Sequence, residues 1–243
     1  MVIGIDEAGR GPVLGPLVVA AIRIDPKDLD LDELKITDSK LMTPRNREKA
    51  FEVLKKRSDH CIIEVTASAV DDARSRMTMN QLEIYAFSTA LASLVSGSEL
   101  VHPELQRIIH VSLVPSSRRA RRIILDAADV NAERFGRLVR EEVSKLTCID
   151  DLEIISEHKA DLNHLVVGAA SVLAKVTRDR KIEKFRMGYG ADIGSGYPGD
   201  PRTIEFLGSY IRENGRVPDI ARSSWKTSKR LMAQYGQSSL SDF

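Results

Sequence analysis

Residues 3–12 read Ile3-Gly4-Ile5-Asp6-Glu7-Ala8-Gly9-Arg10-Gly11-Pro12: an apolar run ends in two adjacent carboxylates and passes into a glycine turn carrying one arginine. A second apolar run, Val13 to Ile24, leaves the turn. Two strands joined this closely pair as a hairpin, so a sheet begins here. The acids fall at the sheet edge, where neighbouring negative charges repel unless a cation lies beside them. A divalent metal is the usual reason for such a pair. The alternative is a solvated turn between strands. Gly9, Arg10, Gly11 and Pro12 weigh against a plain turn, because glycines admit a substrate backbone and arginine brings donors to it.

The rest of the chain alternates strand and helix patterns. Residues 25–42 form an acidic loop that ends in Thr37-Asp38-Ser39-Lys40-Leu41. Thr43 caps a helix that has Pro44 at its first position and runs to about Arg57. Cys61 to Ala67 alternates like a strand, and residues 68–75 and 78–95 read as helices. An apolar run from Ile108 to Val114 sits in an ambiguous segment, 96–119. Ile123-Ile124-Leu125-Asp126 is again an apolar strand ending in an acid. Residues 131–147 form an amphipathic helix, Leu152 to Ile155 a short strand, and Asp161 opens a helix to about Phe185. Strands alternating with helices after an opening hairpin predict an α/β fold: a mixed β-sheet flanked by helices. Gly188 to Pro201, with five glycines and two prolines, looks like a joint. Beyond it a helix runs from Asp200-Pro201 to Asn214-Gly215, and residues 220–235 form a basic helix containing Trp225. The expected division is 1–186, a small helical domain at 187–235, and a flexible tail at 236–243.

Size and composition fit this division. The chain has 243 residues, of which 42% are hydrophobic and 29% charged, as in an ordinary globular protein. The longest apolar run, Val13 to Ile22, contains Gly15 and Pro16 and is too short to span a bilayer. Nothing at the N-terminus has a signal peptide's basic flank. Cys61 and Cys148 match no metal spacing and read as thiols of a reducing compartment. A cytoplasmic protein with no membrane partner is therefore expected. Net charge is only +1, yet basic residues cluster: Lys175 to Arg186 holds six of them, Arg118, Arg119, Arg121 and Arg122 form a second group, and Arg222, Lys226, Lys229 and Arg230 a third. Such clusters on a near-neutral protein suit a phosphate backbone or, taken singly, are solvated helix faces.

Apolar sequence gives way to acid at three places: Asp6-Glu7, Asp126 and Asp161. Two are strand ends, where ligands gather in α/β folds. Four carboxylates without His or Cys would make a hard-oxygen site for Mg²⁺ or Mn²⁺. Two such ions about 4 Å apart can activate a water and steady the leaving oxygen of a phosphodiester. Spacing alone does not bring the acids together. Asp126 also fits a strand-end turn and Asp161 a helix cap.

Six stretches make the chain resemble type 2 ribonuclease H, ribonuclease HII, in its archaeal form. They are Gly4 to Pro12, Asp38-Ser39-Lys40, Leu125 to Val130, His158 to Asp161, Ala169 to Asp179 and Gly194 to Pro201, in the family's order, and the likeness reaches from residue 1 to about Thr227. The resemblance implies a ribonuclease H-like catalytic domain. It also implies endonucleolytic cleavage of the RNA strand of RNA–DNA hybrids and of ribonucleotides embedded in duplex DNA, with roles in primer removal and ribonucleotide repair. Asp6, Glu7, Asp126 and Asp161 would be the catalytic, metal-binding carboxylates. Gly9, Arg10 and Gly11 would contact the ribose 2′-OH, Tyr197 would stack on or hydrogen-bond that nucleotide, and Ser39 and Lys40 would hold a phosphate. The 2′-OH alone separates ribose from deoxyribose, so a selective enzyme needs a contact there. The enzyme is expected to act as a monomer. Residues 96–121 are longer and more basic than the family pattern, and Gly199 stands where it often has serine.

Other readings are weaker. Gly9-x-Gly11 suits a dinucleotide fingerprint only in part, because Leu14 stands at the third position and a strand follows where a helix should. A catalytically silent adaptor would lack one of the four acids. A phosphatase or different nuclease on the same acid set would have no use for the ribose-directed turn and Tyr197. The tail Gln237-Ser238-Ser239-Leu240-Ser241-Asp242-Phe243 is similar to sliding-clamp-binding peptides: Gln237 would anchor it, and Leu240 and Phe243 would fill an apolar pocket.

Overall fold

The computed structural model describes residues 1–25, 34, 36, 42–106, 108–115 and 120–235. The elements are β1 (Val2–Ala8), β2 (Leu17–Ile24), α1 (Pro44–Arg57), β3 (Asp59–Val65), α2 (Ala67–Arg74), α3 (Met79–Ser96), β4 (Ile109–Val114), β5 (Arg122–Asp126), α4 (Ala132–Thr147), β6 (Glu153–Glu157), α5 (Ala160–Asn163), α6 (Leu165–Tyr189), α7 (Pro201–Asn214) and α8 (Lys226–Tyr235). One 3-10 turn, Pro103–Leu105, precedes β4. The strands form one sheet in the order β4-β3-β2-β1-β5-β6. β1 runs antiparallel to β2 and parallel to β5, and β5 is parallel to β6. The mixed, helix-flanked sheet expected from the sequence is thus the one formed.

Local chemistry sets many boundaries. The side chains of Thr43, Thr66, Thr78, Asn131 and Asp200 each accept a backbone N–H at the start of a helix. At α3 the Gln81 side chain returns the bond, completing a capping box. Gly97 and Gly215 end α3 and α7 in the left-handed conformation.

The chain divides into two compact units. The first comprises Met1–Ala8, Val18–Glu64 and Thr78–Thr177. One core of this unit packs Val18, Ala20 and Ile22 of β2 against Phe51 and Leu54 of α1 and Val167, Ala170, Leu173 and Ala174 of α6. Helix α6 lies so close on β1 that a Cβ at Gly4 would stand 2.3 Å from the Val166 carbonyl oxygen. Elsewhere in the unit α3 meets α4, with Phe87 edge-on to Phe135 at 5.1 Å.

The second unit comprises Gly9–Leu17, Val65–Met77 and Arg178–Phe243. Its apolar core includes Val13, Leu14, Ile182, Ile193, Leu207, Ile211 and Leu231. Leu14 bridges Ala221. Asp71 of α2 accepts the N–H and hydroxyl of Ser223 at 2.6 and 2.7 Å, and those of Ser224 at 3.1 and 2.5 Å. The unit is therefore discontinuous: it takes the glycine turn and α2 as well as the chain after Thr177.

Three segments differ from expectation. The ambiguous stretch supplies an edge strand, β4. The helix expected to run unbroken from Asp161 is interrupted at His164, giving α5 and α6. Residues 216–225 are irregular, so the last helix starts only at Lys226. Among the described residues no helix is long and apolar enough to cross a membrane.

Candidate metal centre and glycine turn

Asp6, Asp126 and Asp161 come together: one carboxylate oxygen from each lies within 4.8 Å of the others. The fold explains the meeting. β1 and β5 are parallel with Ile5 beside Leu125, so the next residues, Asp6 and Asp126, are neighbours at the same end of the sheet. Residues matched in a parallel register face the same side. Asp126 Oδ1 then accepts the backbone N–H of Ala160 at 3.1 Å, which ties the first turn of α5 to the strand end and brings Asp161 in. Asp161 is not a helix cap: that position belongs to Lys159, in the left-handed conformation at φ 58°.

Glu7 is not among the three that meet. It follows Asp6 within β1, where successive side chains alternate faces. Its charge is still felt. Burial pushes the Asp6 carboxyl well above the usual carboxylate range, with Glu7 and then Asp126 adding repulsion, while a hydrogen bond from Ser171 works the other way. The Glu7 N–H also reaches Asp6 Oδ1 at 2.7 Å. Three converging carboxylates with no nitrogen or sulfur donor suit a hard divalent cation, and such a cation would relieve the repulsion that raises Asp6. Ser171 went unnoticed in the sequence because a serine in an apolar helix carries no mark of its partner.

The turn after β1 belongs to the second unit. Gly9 is required there: its φ is +92°, and a Cβ would stand 2.3 Å from the Pro16 carbonyl oxygen. Gly11 is different. It is exposed, and a Cβ would meet only Tyr197 Cε1, at an ordinary 3.8 Å. Tyr197 is 42% exposed. The Arg178 guanidinium lies 4.9 Å from its ring centre and donates to the Ser195 carbonyl at 2.6 Å. Arg178 is only 4% exposed, so it meets this loop from its buried side. Val13 and Leu14 donate to the Gly196 carbonyl at 2.8 and 3.1 Å, so the turn and the Tyr197 loop form one assembly.

The basic clusters are less uniform than their sequence implied. Arg222 is wholly buried and donates to turn carbonyls. Arg121 and Arg122 pair with Asp151 and Glu153 at 3.1 and 4.0 Å. Lys226, Lys229 and Arg230 are exposed. Asp129 pairs with Arg134 at 2.6 Å, which holds its carboxyl below the usual range, and His158 faces the Val130 carbonyl at 3.2 Å. Ser39, Lys40, Arg118, Arg119, Gln237, Leu240 and Phe243 lie outside the described residues.

A family model described as Ribonuclease HII matches residues 3–228. The ribonuclease HII of Thermococcus kodakarensis is 44% identical over 232 residues, covering 95% of this chain and 89% of the relative. Among solved structures, the ribonuclease H2 of Pyrococcus horikoshii matches with a TM-score of 0.79 and 37% identity, covering 97% of this chain and 99% of that one. A structure of the Archaeoglobus fulgidus ribonuclease HII in complex with PCNA matches with a TM-score of 0.74 and 33% identity, over 95% and 96% of the two chains.

Proposed function

The chain belongs to the ribonuclease HII family, a metal-dependent endoribonuclease of RNA–DNA hybrids, and from this premise we propose that it also cuts duplex DNA on the 5′ side of an embedded ribonucleotide. The observation that carries the reading is the convergence of Asp6, Asp126 and Asp161 from three separate segments. These three carboxylates, with Glu7 as a fourth, would hold the ions. A divalent ion held there, Mg²⁺ or Mn²⁺, would supply positive charge that acidifies the attacking water and offsets the charge on the leaving oxygen. Water attacks the phosphorus and the bond to the 3′ oxygen breaks, leaving 3′-OH and 5′-phosphate ends. Asp126 has a second task, since its bond to the Ala160 N–H keeps Asp161 in place.

Selection of ribose falls to the turn. Nothing in the fold demands glycine at position 11, where a methyl group would fit, so its absence leaves room for a sugar beside Tyr197. Tyr197 offers an exposed ring face steadied by Arg178. Ser39 and Lys40 would hold a flanking phosphate. The Archaeoglobus relative is solved in complex with PCNA, which supports sliding-clamp binding through Gln237, Leu240 and Phe243 here as well. The work of such an enzyme is primer removal and ribonucleotide repair.

The test is a pair of duplexes identical except for one ribonucleotide, incubated with the protein and Mg²⁺ or with chelator. Cutting confined to the ribonucleotide duplex, and abolished by chelator, is expected. Equal cutting of the all-DNA duplex would refute ribose selection.

A further inference from the structure

Among the described residues, Arg222 is the largest fully buried side chain, at 0% exposure. A guanidinium is rarely taken out of water without a structural purpose. This one reaches the backbone of the glycine turn. Nη2 donates to the Gly9 carbonyl at 2.5 Å, Nη1 to the Arg10 carbonyl at 3.0 Å, and Nε and Nη2 to the Gly15 carbonyl at 3.2 and 3.1 Å. Its planar face lies 4.7 Å from the centre of the Trp225 ring. Trp225 Nε1 donates to the next carbonyl, that of Gly11, at 3.3 Å. Three consecutive carbonyls are thus gathered by one stacked pair.

Peptide geometry gives this a consequence. Each peptide group is planar and trans, so its C=O and N–H point in opposite directions. A Gly9 carbonyl held toward Arg222 turns the Arg10 N–H away from it. An Arg10 carbonyl held the same way turns the Gly11 N–H away. The third group, Gly11–Pro12, has no N–H at all, so fixing its carbonyl ends the series. The two donors aimed away from the guanidinium lie where Gly11 is exposed.

The pair is itself braced. Arg222 N–H donates to the Val13 carbonyl at 2.8 Å, and its own carbonyl accepts the Ser228 hydroxyl at 2.7 Å. Asp71 holds the two residues that follow it.

We propose that Arg222 and Trp225 are positioning residues for ribose recognition: they orient the turn so that the N–H groups of Arg10 and Gly11 face the sugar. The inference rests on the reading that this turn contacts the ribose. Both act through the turn's carbonyls. A lysine at 222 keeps the charge but not the fork, so it satisfies fewer of the three carbonyls.

The experiment measures binding of the full chain to the ribonucleotide duplex and to the matching all-DNA duplex, in chelator so that nothing is cut. Wild type, Arg222→Lys, Arg222→Gln and Trp225→Phe are compared, with melting curves for each. The wild type should prefer the ribonucleotide duplex. Arg222→Lys should lose about tenfold of that preference, roughly one well-made hydrogen bond, with affinity for all-DNA duplex unchanged. Arg222→Gln should lose more, and Trp225→Phe less, in the same direction. With Mg²⁺ present, KM for the ribonucleotide duplex should rise in step. Should Arg222→Gln fail to fold, the other two variants carry the test. A wild type that discriminates, beside folded variants with an unchanged ratio, overturns the positioning role and leaves the ribose reading intact. Equal loss of affinity for both duplexes also overturns it. A wild type without preference sinks both.

Discussion

At the scale of single residues, the site is a balance between repulsion and binding. Asp6 is buried beside two further carboxylates, and its proton is held more tightly in the folded chain than in the unfolded one. For such a group the folded state binds more protons, so stability falls as pH climbs from the ordinary value of 3.8 through the raised one and stays lower above it. Asp6→Asn should therefore melt higher than wild type at neutral pH in chelator, with the gap closing as pH falls toward the ordinary carboxylate range. Adding Mn²⁺ should raise the melting point of wild type more than that of the variant. Calorimetry across pH checks both statements. Gly11→Ala separates function from fold: with ordinary contact at the new methyl, the melting point should hold or rise slightly, while cleavage at a ribonucleotide drops at least about tenfold if the sugar needs that space. The acids and Gly9 to Gly11 were legible as residues, because an apolar strand ending in charge is unusual. Their partners were not. Arg222 sat in a basic cluster that suited a phosphate contact or a solvated helix face, and nothing in a sequence marks which carbonyls a buried guanidinium will meet.

At the scale of elements, the hairpin, the helix caps and the apolar faces were readable because each depends on neighbours in the chain. Thr43 and Asp200 marked their helices in advance. Thr78→Ala should cost about 1 kcal/mol, through loss of the capping box at α3. The break at His164, where the backbone turns extended, was hidden, and so was the tie from Asp126 to the Ala160 N–H across 34 residues. The close seating of α6 on β1 was equally hidden. Gly4→Ala should destabilise the protein by about 1–3 kcal/mol, because the obstacle is the Val166 backbone and not a side chain that can rotate. Urea denaturation read at one wavelength, with unchanged m-value, checks this as a packing effect.

At the scale of the whole molecule, the sheet forecast held, and the second compact unit is assembled from separate stretches of chain. The glycine turn and α2 join the C-terminal helices, a grouping made by tertiary contacts such as Asp71 to Ser223 and Ser224 across 152 and 153 residues. The tail reading can be tested independently of the chemistry: removing residues 236–243 should leave cleavage of a short hybrid unchanged and abolish co-elution with a sliding clamp. The central claim is that the converging carboxylates drive a cut placed by the ribose. It is tested most directly by resolving, at single-nucleotide resolution, the products of a duplex bearing one ribonucleotide treated with wild type and with Asp126→Asn in Mg²⁺. One cut on the 5′ side of the ribonucleotide by wild type, with a 5′-phosphate end and at least about a hundredfold slower reaction in the variant, is the predicted result. Undiminished cutting by Asp126→Asn, or cuts scattered through the deoxyribose positions, would contradict it.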